Sequence, residues 1–215
     1  MLVIGVTGGV GTGKSTVAKM LGELGARVLD ADAMAHETMR PGSMVWRRIV
    51  ETFGQGITHP DRTINRQALA DAIFSDPDVR RRLEEIVHPQ VLKDIKRQLH
   101  AWKKNGRRLV VVLDVPLLLE AGLANLVDFV IVVRATPEVQ RARLMDRRGW
   151  SSEEIERRAA AQWPLERKAA QADAVVENSG VASETRRQVR HLWKTRCTAQ
   201  KNDQRRRRLG STSRR

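Results

Sequence analysis

The sequence predicts an α/β fold in three layers: a parallel sheet between helices, with a helical insertion and a helical lid. Three observations predict it. Short, wholly apolar runs recur at Leu2-Val3-Ile4, Leu109-Val110-Val111-Val112-Leu113 and Phe129 to Val133, as strands buried on both faces of a parallel sheet require. Between such runs apolar residues return at helical intervals, first at Val17, Met20, Leu21 and Leu24. The first strand also runs straight into Gly8-x-x-x-x-Gly13-Lys14-Ser15, the spacing of a phosphate-binding loop between strand and helix. Taken together they specify a P-loop NTPase-like sheet.

The loop's chemistry follows from its residue types. Glycines at 8, 9, 11 and 13 can turn successive backbone N–H groups inward. With the helix N-terminus behind them, those donors cradle anionic phosphate. The candidate ATP-binding stretch is therefore Gly8, Gly9, Val10, Gly11, Thr12, Gly13, Lys14, Ser15 and Thr16. Lys14 reaches the β- and γ-phosphates in such loops, and the hydroxyl of Ser15 holds Mg²⁺. A plain glycine-rich turn before a helix is the alternative, and the ordered context of strand, loop, Lys-Ser pair and helix argues against it.

Further elements follow in order. Leu24-Gly25 ends the first helix, and Ala26 to Leu29 is the next strand, running into Asp30-Ala31-Asp32. Ligands in open parallel sheets lie beyond the carboxyl ends of strands. Both aspartates are thus expected to face the phosphate site, where a carboxylate serves as general base; solvated turn residues or a helix cap remain the alternative. From Arg40 to about Leu99 the strand pattern is absent. Helices are expected around Met44 to Phe53, after Asn65, and from Asp76-Pro77, with His88-Pro89 interrupting the last. Asn105-Gly106 is a turn, and Asp114 ends the next strand, where a carboxylate can orient Mg²⁺ or simply cap or pair. Thr136-Pro137-Glu138 and Ser151-x-x-Glu154 open two arginine-rich helices. The second is expected to carry Arg157, Arg158, Gln162 and, further on, Lys168. Ala174 to Val176 is a short strand, and a last helix includes Val189, Leu192 and Trp193.

Composition narrows the function classes. The 215 residues are 41% hydrophobic, with one cysteine, Cys197, so no internal disulfide or cysteine metal cluster forms. No apolar run is long enough to span a membrane, and a soluble, cytoplasmic protein is expected. The formal charge of +14 is uneven, with seven basic residues against Asp203 from Lys201 onward. Such charge suits a polyphosphate substrate or nucleic acid. With three Phe, five Trp and no Tyr, a base-stacking platform is weakly supported, so nucleic acid is expected to bind at most weakly, through the tail. The layout expected is a kinase domain over 1–198, with its nucleotide core at about 1–39 and 105–198, an acceptor-binding insertion at about 40–100 and a lid at about 145–168. Residues 199–215 are read as a disordered tail, and the assembly as a monomer or weak homo-oligomer.

Several of these elements, in one order, resemble the dephospho-CoA kinase family. They are Thr7 to Thr16, Val28-Leu29-Asp30-Ala31-Asp32, His88-Pro89, Val115-Pro116-Leu117-Leu118-Leu119-Glu120, Arg158 to Gln162, and Ala172 to Gly180. The resemblance implies transfer of phosphate from ATP to the ribose 3′-hydroxyl of dephospho-CoA. It implies Asp32 as base, with Lys14, Mg²⁺ and a lid arginine, Arg147 or Arg158, neutralising phosphate charge. His88, Pro89, Pro116, Leu117 and Glu120 would line the acceptor pocket, and Asn178 and Gly180 would lie near the adenine of ATP. The arginine-rich tail departs from the family pattern. The competing readings are a kinase acting on a nucleoside monophosphate-like acceptor, and a nucleic-acid-binding protein regulated by nucleotide.

Overall fold

The structure, a computed structural model, describes residues 1–104 and 109–211, with the side chains of 73–75, 77 and 197–211 outside that description. The expected Asn105-Gly106 turn and the end of the tail, 212–215, therefore lie outside the described residues. The chain divides into two compact units, Met1–Leu29 with Arg108–Arg215, and Asp30–Arg107.

The first unit is built on a sheet. Its strands are β1 (Leu2–Gly8), β2 (Arg27–Asp30, whose last residue opens the second unit), β3 (Val110–Asp114), β4 (Phe129–Arg134) and β5 (Ala174–Glu177). They lie in the order β2-β3-β1-β4-β5. β1 pairs in parallel with β3 and β4, in a register that sets Ile4 beside Val112 and Val6 beside Ile131, and β4 pairs in parallel with β5. β1 is central because its β-branched and apolar residues are covered on both faces. Ile4, Val6, Val112, Ile131 and Val133 form one core with Val17, Ala18, Met20 and Leu21 of α1 (Lys14–Glu23). The chain leaves β1 for β2 on one side of the sheet and later crosses from β3 to β4 on the other. The carboxyl end of β1 is thus the switch point where ligands of such sheets bind.

The remaining helices of this unit are α6 (Pro137–Arg148), α7 (Ser152–Ala160), α8 (Leu165–Ala170) and α9 (Ala182–Ser211). α9 is anchored by Val189, Leu192 and Trp193 against the core, and the Arg196 guanidinium lies 3.8 Å from the Phe129 ring centroid. Two expectations change here. Lys168 is not on the helix of Arg157 and Arg158: α7 ends before Pro164, which cannot donate the backbone bond that would continue it, and Lys168 sits on the separate α8. The final helix also runs to Ser211, through most of the tail read as disordered, in keeping with the good helix propensity of its Gln, Lys and Arg residues.

Side-chain caps start α6 and α7. Thr136 and Ser151 accept from the amides of Val139 and Glu154 at 3.5 and 3.3 Å. The Ser151 hydroxyl, and next the backbone amide of Glu153, hold the Glu153 carboxyl below its ordinary value of 4.5. A lowered folded value means this contribution is present above 4.5 and is lost as pH falls through the folded value. Ser151→Ala is expected to cost about 1 kcal/mol, read by denaturant unfolding at neutral pH, and the difference from wild type should shrink on acidification.

The second unit is helical: α2 (Ala31–Thr38), α3 (Met44–Phe53), α4 (Arg66–Ser75) and α5 (Pro77–Lys104). Asp30, Ser43 and Asn65 cap α2, α3 and α4. The unit starts at Asp30, earlier than the boundary near residue 40 read from sequence, because α2 packs on α5. His88-Pro89 does not interrupt α5, which is continuous around Pro89. Proline removes one backbone bond there. The helix survives because both residues lie on its exposed side, while Val87, Val91, Ile95 and Leu99 are buried along the other.

Candidate active site

The phosphate loop is held by its own backbone and side chains and by side chains distant in sequence. Gly11 and Gly13 have φ of 75° and 88°, left-handed angles that a side chain disfavours. The Thr12 hydroxyl donates to the Gly9 carbonyl at 2.9 Å, and Lys14 Nζ folds back onto the same oxygen at 3.0 Å. α1 starts at Gly13 with no side-chain cap, unlike α2, α3, α4, α6 and α7. An uncapped helix start behind glycines is chemically an anion site.

From the far end of the chain, Asn178 Nδ2 donates to the Thr12 carbonyl at 2.8 Å, and its Oδ1 accepts from the Thr185 hydroxyl at 2.9 Å. Arg143 donates to the carbonyls of Asn178 and Thr12 at 2.7 and 3.5 Å. Burial, and then the charge of Arg147, pushes the Arg143 guanidinium below its usual value. Space is closed as well. A β-carbon on Gly13 would collide with Asn178 Nδ2, and one on Gly11 would meet Leu144 Cδ1 at 2.9 Å. Gly13→Ala combines that collision with left-handed strain of about 1–2 kcal/mol. It is expected to weaken ATP binding at least ~10-fold, measured by titration calorimetry.

The other site residues fall in several places. Asp30, not Asp32, caps α2 by accepting from the Ala33 amide at 3.0 Å. Asp32 follows in the first turn and is exposed. His88 and Pro89 are exposed on α5. In the sheet unit, Asp114 is buried at the end of β3, beside Val6 in register. Pro116 and Leu117 begin a tight turn over 116–122, half-buried, with Leu118 packed over Gly5, where a β-carbon would not fit. The Pro116 carbonyl accepts from the Thr7 hydroxyl at 2.9 Å. Glu120 takes the buried Lys168 at 2.7 Å. Arg147, at the end of α6, is close enough for its charge to add to the lowering of the Arg143 guanidinium. Arg158 is bound to Glu154 at 2.8 Å and lies 3.9 Å from the Trp150 ring centroid.

Arg143 and Lys168 are functional candidates that sequence reasoning did not single out. Arg143 is one of many arginines in its stretch, and Lys168 looked like a helix-face lysine. For a cation, the set available in the sheet unit is Ser15, exposed at the start of α1, and Asp114. No group of three or more His, Cys, Asp or Glu forms a metal cluster among the described residues. Mg²⁺ needs no more than one or two protein oxygens beside substrate phosphates and water, so this oxygen-only set fits it. No helix among the described residues is long and apolar enough to cross a membrane.

The family match and the most similar relatives point to one family. A family description, "Dephospho-CoA kinase", matches residues 2–184. A dephospho-CoA kinase of Symbiobacterium thermophilum is 48% identical over 92% of this chain and 82% of its own length, and one of Geobacter metallireducens is 47% identical over 91% and 97%. A Thermus thermophilus structure, TT1252, is 33% identical and superposes with a TM-score of 0.72, covering 90% of this chain and 97% of that one. With a phosphate loop on an uncapped helix at the centre of a parallel sheet, and this match over most of its length, the chain belongs to the dephospho-CoA kinase family.

Proposed function

We propose that this kinase moves the terminal phosphoryl group of ATP to the ribose 3′-hydroxyl of dephospho-CoA, releasing CoA and ADP. The observation that carries the reading is the family membership of a chain whose phosphate loop leads into a helix with no side-chain cap. The hydroxyl oxygen forms a bond to the γ-phosphorus as the bond from that phosphorus to the β–γ bridging oxygen breaks. ADP leaves with the electron pair, and the hydroxyl proton passes to Asp32. Phosphoryl transfer asks for positioning and charge neutralisation more than covalent chemistry. Lys14 and the loop amides supply that charge on the donor side, and Arg147 or Arg158 closes over it.

Ser15 and Asp114 would hold Mg²⁺, directly or through water, and the ion when bound neutralises phosphate charge. His88, Pro89, Pro116, Leu117 and Glu120 form the acceptor side of the reading. The amide of Asn178 donates to the Thr12 carbonyl, which supports a role in setting the loop, and Asn178 and Gly180 are the adenine-side residues of the reading. Lid closure over the site would keep water from taking the phosphoryl group.

The test is direct. Purified protein with Mg-ATP is offered dephospho-CoA and, separately, nucleoside monophosphates, with products resolved by chromatography. CoA formation is the expected result. Phosphorylation of a monophosphate with none of dephospho-CoA would replace this acceptor by the other class.

A further inference from the structure

Lys168 is 0% exposed, a rare state for a lysine and one that requires partners. Its ammonium has three donors, and three acceptors meet it. Nζ lies 3.3 Å from the Gly8 carbonyl, 3.3 Å from the Pro116 carbonyl and 2.7 Å from Glu120 Oε1. The partners come from two segments: Gly8 at the start of the phosphate loop, and Pro116 and Glu120 within the turn after β3. Two further bonds tie the same points together. The Thr7 hydroxyl donates to the Pro116 carbonyl at 2.9 Å, and the Trp163 amide donates to Glu120 Oε1 at 3.1 Å. Glu120 Oε1 is thereby fully engaged by protein. Its other oxygen, Oε2, is buried and has no hydrogen-bond partner among the described residues.

We infer that Lys168 is a positioning residue for phosphoryl transfer. Its ammonium fixes the first carbonyl of the phosphate loop to the 116–120 turn and holds the Glu120 carboxylate in place within that turn. The inference rests on the kinase reading for the reaction that this positioning serves. A structural ion pair alone would not need two backbone carbonyls from the two loops that flank the reaction. A compact ammonium can satisfy three convergent acceptors at once, whereas the planar guanidinium of arginine directs its donors in a fixed fork. The loop's remaining anchors, Thr12, Asn178 and Arg143, form their bonds to one another and to Gly9 rather than to Lys168 among the described residues. Nucleotide binding should therefore survive its loss while alignment of donor and acceptor does not.

The experiment compares wild type, Lys168→Met, Lys168→Arg, Glu120→Gln and the Lys168→Met/Glu120→Gln double variant. Folding is followed by circular dichroism, ATP affinity by calorimetry, and kcat and KM for dephospho-CoA by CoA formation. Folded Lys168→Met is expected to hold ATP within about threefold of wild type and lose about 100-fold in kcat, the scale of an ångström misplacement. Lys168→Arg should stay at least ~10-fold below wild type in kcat, because geometry and not charge is missing. Glu120→Gln should raise KM by about tenfold, and the double variant should have a kcat no lower than Lys168→Met alone, since both act through one contact. A folded Lys168→Met with kcat within about threefold of wild type overturns the proposal, as does a fall in ATP affinity that matches the fall in kcat. If Lys168→Met does not fold, an unaltered KM and kcat in Glu120→Gln overturns it. Hydrogen exchange adds an arm that needs no substrate: amides of 5–13 and 114–120 should lose protection together in Lys168→Met or Lys168→Arg, with 140–148 unchanged. Wild type inactive on dephospho-CoA would strike the kinase reading, while this arm still tests the clasp; no coupled loss of protection overturns it.

Discussion

Asp32→Asn is expected to lower turnover on dephospho-CoA by about 10²–10⁴-fold, the range for losing a general base, with ATP affinity within about threefold of wild type. The reasoning starts from size. Asparagine matches aspartate in shape and retains an acceptor oxygen, but it carries no charge and cannot take a proton at neutral pH. The cap of α2 is Asp30, bonded to the Ala33 amide, and the charge of Asp32 in the first turn adds about 0.3–1 kcal/mol to the helix. Lost turnover with a nearly unchanged melting temperature would therefore be chemical in origin. ATP binding depends on the loop and its anchors in the sheet unit, none of which includes Asp32. CoA formation and calorimetric titration with ATP separate the two effects. Unchanged turnover removes Asp32 from the base role.

Lys14→Ala should cost about 10²–10³-fold in kcat, the scale of losing one preorganised charge donor in the transition state, and should do so with any acceptor. The loop itself should persist. When Lys14 is truncated, the Gly9 carbonyl keeps the Thr12 hydroxyl at 2.9 Å and the Thr12 amide at 3.4 Å, and Asn178 still holds Thr12 from the other side. What disappears is a positive charge on a flexible stem, able to leave Gly9 and follow the phosphates as charge shifts in the reaction. Lys14→Arg should rescue little, since a planar fork does not substitute for a compact ammonium in a tight glycine loop. Single-turnover kinetics at saturating ATP, beside the ATP dissociation constant, provide the check. Wild-type turnover in Lys14→Ala would mean the backbone amides and Arg143 carry the donor-side charge alone.

The features readable in the sequence are those whose cause is local. The strand–loop–helix at residues 2–23 is written in glycine spacing, a Lys-Ser pair and helical apolar periodicity, all within one short stretch. Thr136-Pro137 and Ser151-x-x-Glu154 opened α6 and α7 because a cap acts on an amide two or three residues away. The same logic misread Pro89. Proline's local effect says stop, but α5 is held by the side chains of Val87, Val91, Ile95 and Leu99 packing within the helical unit, and tertiary burial outweighed one missing backbone bond. That a helix would start at Asp30-Ala31-Asp32 was an alternative the sequence left open, but not which aspartate caps it, since that depends on the rotation of the first turn.

By itself, then, the sequence determined the donor chemistry, the sheet and the family, because spacing of a few residues dictates a phosphate loop and its neighbours. Only the tertiary structure decided what holds that loop in shape. Lys168 reaches Gly8 across 160 residues, Asn178 reaches Thr12 across 166, and Arg143 meets Asn178 across 35. The physical reason is that a buried cation or amide takes its role from the carbonyls the folded chain brings around it. In the sequence, Lys168 and Arg143 are one lysine and one arginine among 39 basic residues; in the fold one is buried and the other half-buried, and both donate to carbonyls at or beside the loop.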